Sequence, residues 1–351
     1  MDFRFSHLLL VLFGSLLFFP VLGKNKPLNI HHPEVQAFIE DISQKHQISR
    51  SEISQVLAQS IRLPAVEKLI LPSAPGQPRS WQAYRARFIE PVRLEGGIEF
   101  WRQHQHWLER AQGQFGVPAE IIIAIIGVET IYGRHQGSFR VLDVLSTLSF
   151  HFPRQAPRDR SAFFRAQLEE FLIYTRRHQL AATDIRGSFA GAIGIPQFMP
   201  SSISQFAVDF DADGLVDLRN SPADAIGSVA SFLLQHGWQT GLELDFPVTA
   251  KANSTPGPWL ANDLQARYKP DQLLQAGFEV STAPADYLLG LIDLESPDAP
   301  TEYRAGSINF FAITQYNRSF FYAAAVVDLA RALLARSPSA GLLNQSPTLP
   351  K

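Results

Sequence analysis

Apolar residues recur along this chain mostly at the helical period. Val35, Phe38, Ile39 and Ile42 mark one short amphipathic helix, and Ser51 opens a second carried by Ile53, Val56, Leu57 and Ile61. Residues 71–80, with three prolines and Gly76, read as a loop, after which helical spacing resumes through Phe100, Trp107 and Leu108 toward Gly116. The run from Ile121 to Val128 is apolar on every face, which demands burial; Pro118 and Glu120 suit the start of that helix. Further helices are predicted over 161–178, over 223–236 with Gly237 as the stop, and over 319–334. Between 241 and 306 the period changes. Leu242, Leu244, Phe246 and Val248 alternate, and prolines and glycines punctuate the chain, so a small β-containing module is expected there. The fold class predicted is mainly α (α+β). It divides into an N-terminal helical region 28–95, a helical core 96–240, the β-containing module 241–306, a segment 307–336 that completes the core, and a Ser/Pro-rich disordered tail 337–351.

The first residues break this pattern. Arg4 precedes an apolar run from Leu8 to Phe19, and Gly23 stands before polar Lys24, the layout of a cleaved signal peptide over 1–23. An exported, periplasmic protein is expected. There is no cysteine, which excludes disulfides, thiol catalysis, thiolate metal sites and a lipid anchor on an N-terminal cysteine. Lys and Arg number 31 against 33 Asp and Glu, a net charge of −2, and the bases are scattered among acids. No basic stripe for nucleic acid results.

Four clusters carry candidate chemistry. Glu129 ends the isoleucine-rich run, where desolvation and the negative end of the helix dipole would both raise its pKa toward the range of a general acid. A structural pairing with Arg134 or Arg140 is the other reading. The stretch 187–202 has glycines that permit close approach to a ligand, while Ser188, Gln197 and the aromatics Phe189 and Phe198 offer hydrogen bonds and stacking faces; tight packing explains it equally. Asp209, Asp211 and Asp213, followed by Gly214 and the carbonyl of Leu215, reproduce the first half of an EF-hand calcium loop. Position twelve is Asn220 rather than glutamate, so Asp224 on the next helix is the candidate that closes the site; a solvated acidic turn is the alternative. Finally, Tyr316, Asn317 and Tyr322 stand at the entry to the last helix, as groove residues or as a cap with core aromatics.

Taken in order, Gly127-Val128-Glu129-Thr130 with Tyr132-Gly133, Ala190-Gly191-Ala192 through Gln197-Phe198-Met199-Pro200-Ser201-Ser202, Asp224 to Ala230 with His236-Gly237-Trp238, and Tyr316-Asn317-Arg318-Ser319 resemble the lytic murein transglycosylase B family, glycoside hydrolase family 103. The resemblance implies a lysozyme-like α core, a structural Ca2+ in an EF-hand-like loop over 209–224, and Glu129 as the single acid/base. It also implies a sugar groove with Ser188, Gln197, Tyr316, Asn317 and Tyr322, joined by Phe198. Phe189 and Phe232 belong to this groove too, at positions where tyrosine is common. The implied reaction cleaves the β-1,4 bond between N-acetylmuramic acid and N-acetylglucosamine in peptidoglycan and leaves a 1,6-anhydro end. A monomer is expected, with cell-wall synthesis or division proteins as partners. The rival readings are a hydrolytic muramidase using Asp143, Glu169 or Asp184 as a second acid, and an inactive calcium-stabilised peptidoglycan-binding protein.

Overall fold

The computed structural model describes residues 26–72 and 79–337. The signal segment 1–23 and residues 338–351 of the tail lie outside the described residues. Strand β1 (Lys26–Pro27) is followed by α1 (Pro33–His46), α2 (Arg50–Leu57), β2 (Ile61–Arg62) and α3 (Pro64–Leu69). Ser49, rather than Ser51, caps α2, its hydroxyl accepting the Glu52 N–H at 3.2 Å. Ile61, expected on that helix, sits in β2 instead. The reason is tertiary: a buried carboxylate, Asp143, accepts the Ile61 N–H at 2.9 Å and Thr147 accepts that of Leu63 at 3.0 Å, so extended backbone wins over another helical turn.

Helices α4 (Trp81–Ala86), α5 (Pro91–Gln103), α6 (Gln105–Phe115) and α7 (Ala119–Thr130) come next. From Ile121 to Thr130 every residue of α7 is buried, as its all-round apolar face requires. Then follow β3 (Phe139–Arg140), α8 (Val141–Phe150), α9 (Ser161–Arg177), β4 (Arg186–Gly187) and α10 (Pro200–Phe206), and α11 (Pro222–Gln235), which ends before Gly237 at φ 90°. Strand β5 (Asp245–Ala250), a 3₁₀ turn at Gly257–Trp259, α12 (Pro270–Gln275), β6 (Phe278–Val280), β7 (Gly290–Ser296) and β8 (Ala299–Gly306) lead into α13 (Ile308–Thr314) and α14 (Phe320–Leu334). The mainly α character and the late β segment agree with the sequence pattern.

Two compact units share the described chain. The first holds residues 79–132 and 229–337, the second 26–72 and 133–228. In the first, α14 packs on α4, α5, α7 and α13, and small residues such as Ala323, Ala324 and Ala325 let it lie close. Its antiparallel sheet runs β6-β5-β8-β7 and closes over Phe246, Leu273, Phe278, Leu289, Leu291 and Ala305. Arg304 on β8 ties this sheet to α14, donating to Asp245 at 3.1 Å and to Asp328 at 2.7 Å, while Arg85 on α4 reaches the same Asp328. In the second unit α8 packs on α9 and α9 on α10. Glu169 on α9 accepts from Lys45 and His46 at the end of α1, at 2.6 and 2.8 Å.

Candidate active site

Glu129 occupies the last turn of α7 and is 8% exposed. Its Oε1 accepts the Tyr322 hydroxyl at 2.6 Å. Burial among isoleucines pushes its pKa up to about 7, and the tyrosine hydrogen bond, which favours the charged form, opposes that rise without cancelling it. The carbonyl end of α7 acts in the same direction as burial. Among the described residues Glu129 forms no ion pair; Arg140 is engaged instead by Asp143 at 3.4 Å and the Gln59 carbonyl at 3.1 Å. Just past it, Ile131 and Tyr132 adopt left-handed φ of 50° and 59°. Conformations of this kind cost on the order of 1–3 kcal/mol each, and gather at functional sites.

Aromatic side chains surround this carboxyl within the first unit. Tyr322, fully buried on α14, lies nearly parallel to Tyr316 with ring centres 6.5 Å apart, and Tyr316 meets Phe232 at 4.7 Å. Phe232 in turn stacks on His236 at 4.0 Å. Asn317 is buried beside Tyr316 in the turn that leads to α14. Both tyrosine hydroxyls are held protonated far above their ordinary range, by burial first and by the charge of Glu129 second. Tyr84 on α4 belongs to the same electrostatic neighbourhood, its pKa raised by burial and then by Glu129. Sequence reasoning missed it. Trp81, Tyr84 and Phe88 at helical spacing were the available signal, but that spacing marks any packed helix face.

The other four groove candidates lie in the second unit. Ser188 accepts the N–H groups of Ala190 and Ala192 at 3.2 and 3.0 Å, shaping the glycine-rich turn. Gln197, at φ 51°, donates to the carbonyls of Gly194 and Gln136 at 2.8 and 3.1 Å. Phe189 is partly exposed. Phe198 is 2% exposed, with its backbone paired to Ile193, so its ring is core rather than a face offered to a sugar. The acids of the hydrolytic reading are also here, each with its own partner: Asp143 with Ile61, Glu169 with Lys45, and Asp184 with the Thr183 hydroxyl at 3.1 Å.

In the acidic loop, ligand atoms of Asp209, Asp211 and Asp213 fall within 4.8 Å of one another. Asp209 accepts the N–H groups of Asp213 and Gly214 at 3.1 and 2.9 Å, and Asp213 that of Leu215 at 2.8 Å, so the backbone itself points these carboxylates. Gly214 supplies the left-handed turn at φ 95°. Three convergent hard oxygens at partly open positions fit a calcium ion. Asp224 plays another part. It is 1% exposed and uses both oxygens on the Phe210 and Asp217 N–H groups, each at 2.7 Å, which fastens the loop to α11 and leaves it outside the three-carboxylate cluster. The Leu215 side chain is 57% exposed.

A buried, aromatic-walled carboxyl held near neutrality at the end of an apolar helix is chemically suited to give and take a proton. The comparisons name the class. Residues 31–331 match the transglycosylase SLT domain family, and the chain belongs to it. It is 39% identical over 315 residues to the membrane-bound lytic murein transglycosylase B of Escherichia coli (strain K12), an alignment covering 87% of this chain and 84% of that protein. The Escherichia coli lytic transglycosylase SLT35, solved in complex with calcium, superposes with a TM-score of 0.78 at 38% identity, over 89% of this chain and 96% of that one. SltB3 of Pseudomonas aeruginosa, in complex with NAG-NAM-pentapeptide, does so with a TM-score of 0.73 at 28% identity, over 85% and 78%. The chain is therefore a lytic murein transglycosylase with the lysozyme-like fold, acting on peptidoglycan.

Proposed function

We propose that this enzyme cleaves the β-1,4 bond between N-acetylmuramic acid and N-acetylglucosamine with Glu129 as its single acid/base, leaving a 1,6-anhydromuramic acid end. The observation that carries the reading is a carboxyl with a pKa of about 7, buried at the end of α7 and paired with a neutral tyrosine rather than with a second acid. Protonated Glu129 gives its proton to the bridging oxygen as the bond to muramic acid C1 breaks. The carbonyl oxygen of the muramoyl 2-acetamido group stabilises the positive charge left at C1, a substrate-assisted route that needs no second carboxylate. Glu129, now ionised and stabilised by the Tyr322 hydroxyl, takes the proton of the C6 hydroxyl as O6 attacks C1. Ring closure within one sugar has the high effective molarity of an intramolecular reaction, which disfavours water as the competitor.

Tyr316 and Asn317 are read as sugar-facing groups of the first unit, with Phe232 supporting Tyr316 from behind, while Tyr322, wholly buried, serves as the donor to Glu129 rather than as a sugar contact. Ser188, Phe189 and Gln197 are read as the sugar-facing groups of the second. Calcium in a related structure and the three-carboxylate cluster support a structural ion held by Asp209, Asp211 and Asp213. The ion would supply positive charge that lets these acids stay close, and so stabilise the loop. Action on the cell wall supports export to the periplasm. Mass spectrometry of muropeptides released from purified sacculi tests the chemistry: wild type should yield anhydro ends and Glu129→Gln none. Reducing-end muramic acid as the main product would replace this reading with hydrolysis.

A further inference from the structure

The end of α7 is held in a way that the reaction alone does not explain. Ile131 and Tyr132 lead to Gly133 through three consecutive left-handed residues, a run in which only the glycine is at ease. Contacts with α5 keep the first two there. The Tyr132 hydroxyl donates to the Arg93 carbonyl at 2.7 Å, and the Arg93 Nε donates to the Gly127 carbonyl at 3.1 Å. That same carbonyl accepts the Ile131 N–H at 3.2 Å. One residue of α5 is thus bonded to the chain two residues before Glu129 and three residues after it. Arg93 is itself fixed, buried with its Nη1 donating to the Arg87 carbonyl at 2.8 Å and to Glu90 at 3.2 Å. The phenol lies in a slot cut by two glycines, because a Cβ on Gly97 or on Gly127 would stand 2.5 Å from its oxygen.

We propose that Tyr132, acting through Arg93, is a positioning residue for Glu129: it locks the left-handed exit of α7 so that the carboxyl meets the Tyr322 hydroxyl. The inference rests on Glu129 being the acid/base. Without the lock, Ile131 is free to leave positive φ for the negative-φ backbone that a β-branched residue prefers, and the carboxyl two residues earlier loses its aim. A carboxyl so loosened also gains solvent.

Kinetics of three variants on purified sacculi test this. Tyr132→Phe removes the hydroxyl and keeps the ring; kcat is expected to fall between about tenfold and hundredfold with KM nearly unchanged, the scale of a small misplacement. Its alkaline pH limb should move to lower pH. Adding Ile131→Gly makes the left-handed exit inexpensive without the lock, so the double variant should regain part of the lost kcat. Wild-type kcat and pH profile in Tyr132→Phe, with Glu129→Gln inactive, would overturn the lock and leave the acid/base reading standing; an active Glu129→Gln would overturn that reading instead. A double variant no better than Tyr132→Phe also counts against the lock. Should Tyr132→Phe not fold, Gly127→Ala displaces the same phenol and is expected to give the same loss of kcat and shift of pH profile, with unchanged values overturning the proposal.

Discussion

Two groups of carboxylates in this protein show opposite solutions to the same problem. Glu129 is buried, accepts one side-chain hydrogen bond among the described residues, and titrates near neutrality. Asp209 and Asp213 lie in an open loop where backbone N–H groups supply several donors and bring their oxygens together. Burial with one donor makes a carboxyl an acid that can give and take a proton at working pH; a partly open loop whose backbone N–H groups point several carboxylates at one another makes a cluster of oxygens suited to a cation. The residue type is almost the same. Its surroundings decide the task.

The largest expected effect breaks the first half of that contrast. Glu129→Gln should lose about 10²–10⁴-fold or more in turnover, the range of general acid–base catalysis. The same variant probes the dryness of the site. Because folding raises the Glu129 pKa from 4.5 to about 7, the folded state holds the proton more tightly than the unfolded chain. Stability from this group is intact below about pH 4.5 and is lost as pH rises toward 7, by as much as about 3 kcal/mol at 1.36 kcal/mol per unit. Glu129→Gln should therefore melt higher than wild type at pH 8 and alike at pH 4. Equal melting at both would mean that Glu129 is hydrated.

Next comes the single donor. Tyr322→Phe removes the hydrogen bond that favours ionised Glu129, so its pKa should rise further and the alkaline limb of the pH–rate profile move up, with kcat down by about tenfold or more. An unshifted limb would detach Tyr322 from the carboxyl. For the loop, removal of calcium with a chelator should lower the melting temperature, up to about 2.7 kcal/mol of stability being lost where the ion had stood at a hundredfold above its Kd. Asp209→Asn should shrink that response and leave the pH profile of cleavage where it is. A melting temperature indifferent to chelator would remove the ion from the account. The smallest effect is expected at Asp143→Asn, which keeps an acceptor for the Ile61 N–H and should cost about 1 kcal/mol. Its products should remain anhydro sugars. A large loss of turnover there would revive the hydrolytic reading.

Much of this was legible in the sequence, for a reason that differs from place to place. The period of apolar residues marked α1, α7, α9, α11 and α14 because those helices bury a continuous face or every face, and an acid at the end of a wholly apolar helix is conspicuous by composition alone. The EF-hand-like spacing likewise declares itself, since Asp209, Asp211 and Asp213 act within one short loop. Other features depend on segments far apart in the chain. Ile61 looked helical until Asp143, eighty-two residues on, took its N–H. Asp224 looked like a ligand until its two oxygens met Phe210 and Asp217. Phe198 looked like a stacking face until the core closed over it. Tyr84 gave no sign of its place near Glu129, nor did Tyr322, 193 residues away, of its hydrogen bond to that carboxyl. Local period and composition determined which segments are helices and which charge is out of place, because those are properties of neighbours in sequence. Which donor meets that charge, and how dry it is, only the packing of distant segments could decide.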